Sequence, residues 1–262
     1  MASLAVTNNN ATANGETIHS ATPHIILYTN HRCPYAHRAH IALEELKLPF
    51  EEVIIDLNAP RPQWYLDINS RGLVPAIKYS VPGIMENEVI TESQIVAQFL
   101  CDNFPSHLLP ASNESPLSAL RRARINFFVD TWNTKVSGFQ QTAMRAGPTE
   151  KDSICKEWAI AMEKEIEPLL NDAAPFFGGS KELTFAEVMA APFLVRWCSF
   201  ARDGELLPAT FLEALDSLPN ISRWRKAIEG SESVMKVYNE KAVIEGSKAR
   251  IKHLEAKSCV YV

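Results

Sequence analysis

Apolar and polar positions along the chain divide it into two unlike halves. Between His24 and about Phe104 short apolar runs rich in Val, Ile, Leu and Tyr alternate with segments whose apolar residues recur every three or four positions. Short runs of that kind predict strands and the longer period predicts helices. The expected order is strand 24–29, helix 34–47, strand 50–56, short helix 63–69, strand 75–80, strand 85–90 and helix 92–103. Pro82-Gly83 marks a tight turn between the third and fourth strands, so these should form an antiparallel hairpin. The first two strands, separated by a helix, should pair in parallel.

Around Pro105 to Pro116 the period disappears into Pro, Ser, Asn and His, as in a linker. Beyond it helical periodicity runs over 117–145, 150–171, 184–202, 211–216 and 220–229 with little strand signal. Residues 231–257 read as helical near Val234 to Tyr238 and then become increasingly charged, a tail that either packs over the domain or frays. Thr184-Phe185-Ala186-Glu187 has the spacing of a capping box and fixes a helix start; losing the threonine should cost about 1 kcal/mol. The expected domains are therefore a disordered tail over 1–22, an α/β domain over 23–105, a linker over 106–116, an all-helical domain over 117–257 and a short tail over 258–262.

At 262 residues with 46% hydrophobic content the chain has enough apolar side chains for two such cores. The formal charge of −5 is not broken by any dense cluster of Lys and Arg, so neither nucleic acid nor an anionic membrane is expected as the main partner. The longest apolar run, Val188 to Val195, contains Pro192 and is far too short to span a bilayer. Residues 1–22 hold no Lys or Arg and no apolar stretch of signal-peptide length. Five dispersed cysteines, at 33, 101, 155, 198 and 259, then favour a reducing compartment, and a cytoplasmic location is expected. Cys259-Val260-Tyr261-Val262 superficially fits a prenylation signal, but its last two residues match poorly and no polybasic stretch adjoins it.

Cys33 is the candidate for chemistry. It ends the turn after the first strand, and Pro34 suits the first turn of the following helix. A cysteine there lies beside unpaired N–H groups and the positive end of the helix dipole, which favour the thiolate. Position 36 is Ala, so any disulfide exchange must use an external thiol. His31, Cys33, His37 and His40 bring a zinc site to mind, but their spacing matches no recognised metal motif; solvated or helix-packing histidines are the expectation, with no metal. Two further segments stand beside Cys33 in meaning. Pro75 in Gly72-Leu73-Val74-Pro75 precedes a strand and has a possible cis bond to Val74, and Glu92-Ser93 lies where a strand meets a helix start. Simple capping is the competing reading for Ser93.

Cys-Pro-Tyr-Ala at a strand–helix junction, followed by Leu-Val-Pro, Glu-Ser and an all-helical half, resembles the cytosolic glutathione transferases, particularly the omega class and its fungal relatives. The resemblance extends over about residues 24–230 and implies a thioredoxin-like N-terminal domain followed by the helical C-terminal domain of that family. It implies glutathione as co-substrate, with Cys33 catalytic, Tyr35 beside it, Val74 pairing its backbone with the cysteinyl part, Pro75 in the cis form, and Glu92 and Ser93 holding the γ-glutamyl end. Arg61 stands where a lysine for the glycyl carboxylate is common, and Glu187 where the capping box usually has Asp. An acceptor pocket is expected between the domains, with Phe127, Phe128, Trp132, Arg196 and Trp197 as candidates; for the aromatics, core packing is the stronger reading. The implied activity is thiol transfer or reduction through a Cys33–glutathione mixed disulfide, with deglutathionylation, dehydroascorbate or S-glutathionyl ketone reduction as examples. The acceptor would be a small hydrophobic or disulfide compound, and the assembly a homodimer. A glutathione-dependent isomerase or conjugating transferase, and a non-enzymatic glutathione-binding regulator, are the alternatives.

Overall fold

The computed structural model describes residues 22–258; the expectations for the N-terminal tail and for the Cys259 tetrapeptide lie outside the described residues. Four strands, β1 (His24–Thr29), β2 (Glu51–Ile54), β3 (Ala76–Val81) and β4 (Met85–Thr91), form one sheet in the order β2-β1-β3-β4. β1 and β2 are parallel, whereas β1–β3 and β3–β4 are antiparallel. Helices α1 (Pro34–Glu45), α2 (Gln63–Leu66) and α3 (Ser93–Asn103) complete a thioredoxin-like domain. Leu27, Ile77, Ala39, Leu43, Val96 and Leu100 form its buried core. The first helix stops two residues short of its expected end because Lys47 takes a left-handed conformation, φ 52°. At Pro82-Gly83 the chain reverses with Gly83 at φ 76°, and Ile84 N–H donates to Val81 O at 3.0 Å.

The second domain is helical: α4 (Pro116–Thr131), α5 (Phe139–Arg145), α6 (Pro148–Ala161), α7 (Phe185–Asp203), α8 (Ala209–Asp216), α9 (Pro219–Glu229), α10 (Glu232–Met235) and α11 (Glu240–Ser258). The two long helices expected at 117–145 and 150–171 are interrupted. Trp132–Val136 and Met162–Ile166 are π-helical turns, and Glu167–Leu170 is a 3-10 turn. Hydrophobic periodicity is too similar in these forms to tell them apart.

α7 is the axis of this domain, buried along nearly its whole length. Its start is the expected capping box, with an added layer. Glu187 is fully buried, and its carboxylate accepts from Thr184 N–H (2.7 Å), Thr184 Oγ1–H (2.7 Å), Phe177 N–H (2.9 Å) and Trp224 Nε1–H (2.6 Å). The carboxylate thus ties α7 to the preceding loop and to α9. Among the described residues, no helix is long and apolar enough to cross a membrane.

The charged C-terminal segment packs rather than frays. α10 follows α9, and α11 lies against α7, with Val243 buried and Lys248 paired to Asp203 (2.8 Å) and Glu205 (2.6 Å). At Gly246 a Cβ would fall 2.8 Å from Arg32 Nη1, so the end of the Arg32 side chain lies against α11.

Candidate active site

Cys33 is the N-cap of α1, with Pro34 as the first helical residue. Its N–H donates to Asn30 O at 2.9 Å, which closes the turn. Its Sγ points across to Val74 O at 3.8 Å, and the Val74–Pro75 bond is cis. Val74 precedes the β3 ladder, which begins at Ala76, so its main-chain groups are outside that ladder. Burial is the largest influence on the Cys33 thiol and pushes it above its ordinary range. The N–H groups of Ala36 and Tyr35, then Arg196 and Arg250, pull the other way. The helix-terminus stabilisation expected for the thiolate is present, but desolvation outweighs it.

Two arginines meet behind the cysteine, one from each domain. Arg38 on α1 donates from Nε to Met189 O (2.9 Å), from Nη1 to Ser93 Oγ (3.2 Å) and from Nη2 to Asn133 Oδ1 (3.2 Å). Its guanidinium also lies over the rings of Phe193 (4.9 Å) and Tyr35 (5.4 Å). Arg196 on α7 reaches back into the first domain, donating from Nη2 to His31 O (3.1 Å) and from Nη1 to Pro192 O (2.6 Å), with His37 Nδ1 at 3.1 Å. Tyr238 lies under Arg196 and stacks on His37. Neither arginine forms a salt bridge with a carboxylate among the described residues, and burial lowers each to about 10.

Glu92 and Ser93 stand at the start of α3, close enough to this cluster for Ser93 to be held by Arg38. Glu92 has φ 69°, a strained value for a residue with a side chain. Its carboxylate pairs with exposed Arg71 at 2.5 Å. Tyr35 is half exposed, with its ring edge-on to Phe193 of α7 at 5.1 Å.

Other expected residues lie elsewhere. Arg61 spends Nε on Gly72 O (2.9 Å) and Nη1 on Asp56 O and Ala59 O (both 2.7 Å), so it braces its own loop instead of presenting a free guanidinium. Phe128, Trp132 and Trp197 have no exposed surface. Trp132 stacks on Trp197 at 4.8 Å, with Phe128 at 6.1 Å on its other flank, so these aromatics form the core of the helical domain and line no cleft. Phe127, next in sequence, is 60% exposed on α4. Of the five acceptor candidates, Arg196 is the one the fold brings behind Cys33. The sequence reading missed Arg38, whose signal was a lone charge among Ala36, Ala39, Ile41 and Ala42 on a buried helix face. It also missed Phe193 and Tyr238. Asn133 depends on the π-turn and left no signal in the periodicity.

The four residues of the zinc-like pattern, which the spacing argued against, separate. His37 turns inward, with Nε2 donating to Val234 O at 2.8 Å and Nδ1 facing Arg196. Cys33 faces Val74, and His31 and His40 turn towards β2.

Residues 32–103 match the family model described as the N-terminal domain of glutathione S-transferase. The crystal structure of glutathione transferase Omega 2S from Trametes versicolor aligns with a TM-score of 0.69 and 30% identity, covering 87% of this chain and 97% of that one. Glutathione S-transferase DHAR2 of Arabidopsis thaliana is 30% identical over 166 residues, 62% of this chain and 65% of that protein. Pyrimidodiazepine synthase of Drosophila melanogaster is 26% identical over 222 residues, 83% of this chain and 82% of the relative.

Proposed function

Because the chain belongs to the glutathione transferases of omega type, we propose that it is a glutathione-dependent thiol transferase and reductase whose Cys33 forms a mixed disulfide with glutathione. The observation that carries this reading is the placement of Cys33 Sγ at the first turn of α1, opposite Val74 O and beside the N–H groups of Tyr35 and Ala36. Glu92 and Ser93 would hold the γ-glutamyl end and the Val74 main chain the cysteinyl part, as an added strand pairs with an open edge. Arg71, paired with Glu92, adds a guanidinium at the γ-glutamyl end, whereas Arg61 has largely committed its own to carbonyls.

In the forward step the Cys33 thiolate attacks the glutathionyl sulfur of a mixed disulfide. The Cys33–S–SG bond forms, the S–S bond to the acceptor breaks, and the acceptor leaves as a thiolate that takes a proton. A second glutathione thiolate then attacks the glutathionyl sulfur, releasing oxidised glutathione and restoring Cys33. With an S-glutathionyl ketone the same attack breaks a C–S bond, and the carbon left with the electron pair is protonated. The two electrons come from glutathione in either case. Tyr35 and Phe193 suit a small hydrophobic or disulfide acceptor.

A conjugating or isomerising transferase is the second reading, because the burial that raises the Cys33 thiol leaves less thiolate for attack on a disulfide. A single experiment separates the two. Glutathione-dependent reduction of a small mixed disulfide and conjugation to an aromatic halide are measured on the wild type and on Cys33→Ser. Exchange that vanishes with Cys33 supports thiol transfer; exchange that survives the substitution rules it out, and conjugation that rises marks the sulfur as an obstacle to it. The reading also includes a cytoplasmic homodimer. Leu117, Leu120 and Phe127, exposed at positions three and seven apart on α4, are a surface suited to a second copy, and the mass in solution tests this.

A further inference from the structure

His31 and His40, drawn apart from Cys33 and His37 by the fold, converge with Glu52 of β2. His31 Nε2 lies 3.0 Å from Glu52 Oε2, and His40 Nδ1 lies 3.4 Å from Glu52 Oε1. The rings of the two histidines meet edge to face at 5.2 Å. One ligand atom from each residue fits within 4.8 Å of the other two. Glu52 is far from both in sequence, so no spacing rule could have supplied it.

His40 is the unusual member. Its side chain is 0% exposed, and its Nδ1 has no hydrogen-bond partner. The other ring nitrogen, Nε2, lies 2.8 Å from Thr29 Oγ1, itself fully buried. In the tautomer with the ring proton on Nε2 and donated to Thr29, the Nδ1 lone pair faces a Glu52 oxygen, and a cation between the two would satisfy both. Thr29 then has the role of an outer partner that fixes the tautomer and aims the ligating nitrogen.

We propose that His31 Nε2, His40 Nδ1 and the Glu52 carboxylate form a binding site for a divalent transition metal of the zinc type, with its remaining position open to solvent. Two imidazoles and a carboxylate are a zinc-like donor set, whereas calcium and magnesium prefer oxygen alone. Zinc bonds of about 2.0–2.1 Å set tetrahedral ligands roughly 3.4 Å apart, close to the two imidazole–carboxylate separations here. The ligands come from the turn before Cys33, from α1 and from β2. A bound ion would pin those three elements together while leaving Sγ, which faces Val74, outside its coordination.

The test uses tag-free, chelator-treated, reduced protein and zinc as the probe, read by calorimetry, with cobalt absorption as a second signal. His31 and Glu52 are exposed, so His31→Ala and Glu52→Gln leave the core intact; His40 is not used because it is buried. Expected are saturable uptake of one zinc per chain at micromolar metal by the wild type and by Cys33→Ser, and at least about tenfold weaker binding by His31→Ala and by Glu52→Gln. Cobalt in Cys33→Ser should show visible bands without thiolate charge-transfer absorption. Absence of saturable uptake, its loss in Cys33→Ser, or its persistence unchanged in both His31→Ala and Glu52→Gln overturns the proposal.

Discussion

Replacing Glu187 tests how the helical domain is joined at the start of α7. The wild-type carboxylate accepts from four donors, two on each oxygen: Phe177 N–H and Trp224 Nε1–H on Oε1, and the Thr184 N–H and hydroxyl on Oε2. In Glu187→Gln the amide oxygen keeps one pair, and it does best to keep Phe177 and Trp224. The amide NH2 then faces Thr184, whose hydroxyl can rotate to accept, but whose N–H cannot. One buried donor is left unpaired, at a cost of about 2 kcal/mol. Glu187→Ala strands all four and opens a void, at a cost of more than about 4 kcal/mol. For a chain of this size about 1 kcal/mol lowers the melting temperature by roughly 2–4 °C, so the Gln variant should melt roughly 4–8 °C below the wild type. The Ala variant should fall at least twice as far. Thermal unfolding followed by circular dichroism at neutral pH reads both. A Gln variant that melts with the wild type, or as low as the Ala variant, would refute this hydrogen-bond accounting.

Two further outcomes follow from the site. Ser93→Ala and Glu92→Gln should each weaken glutathione binding by roughly tenfold, the worth of a hydrogen bond to a charged group, measured by calorimetry; unchanged affinity for both would remove α3 from the binding site. His37 is held well below its ordinary 6.5 by burial first and by Arg196 second, so the folded chain takes up its proton less readily than the unfolded one. Its contribution is therefore complete above 6.5 and is lost as the pH falls from there towards the folded value. Melting temperature in chelator should decline on acidification below that point and decline less in His37→Gln; equal slopes would contradict the assignment.

Much of the fold was legible because its signals are local. Strand alternation, Pro34 at a helix start, Pro82-Gly83 at a turn and the Thr184–Glu187 spacing each act through neighbouring backbone, and each appears where the sequence placed it. The rest depended on tertiary contact. Trp132 and Trp197 have the same helical spacing whether they line a cleft or stack on each other, and the domain's need for a core decided it. Arg61 carried the right charge, but nearby carbonyls captured it. α11 is mostly charged; the few apolar residues Val243, Ile244 and Ile251, packed on the core, and the ion pairs of Lys248 hold it in place. Dipole arguments place Cys33 at a favourable helix end, but only the three-dimensional burial reveals that desolvation wins.

Arg38 and Arg196 form the latch between the domains, each holding carbonyls or side chains of the opposite domain. The two domains are therefore joined at the turn that carries the sulfur: they cannot swing apart without uncovering two buried guanidinium groups and releasing the carbonyl of His31, two residues before Cys33.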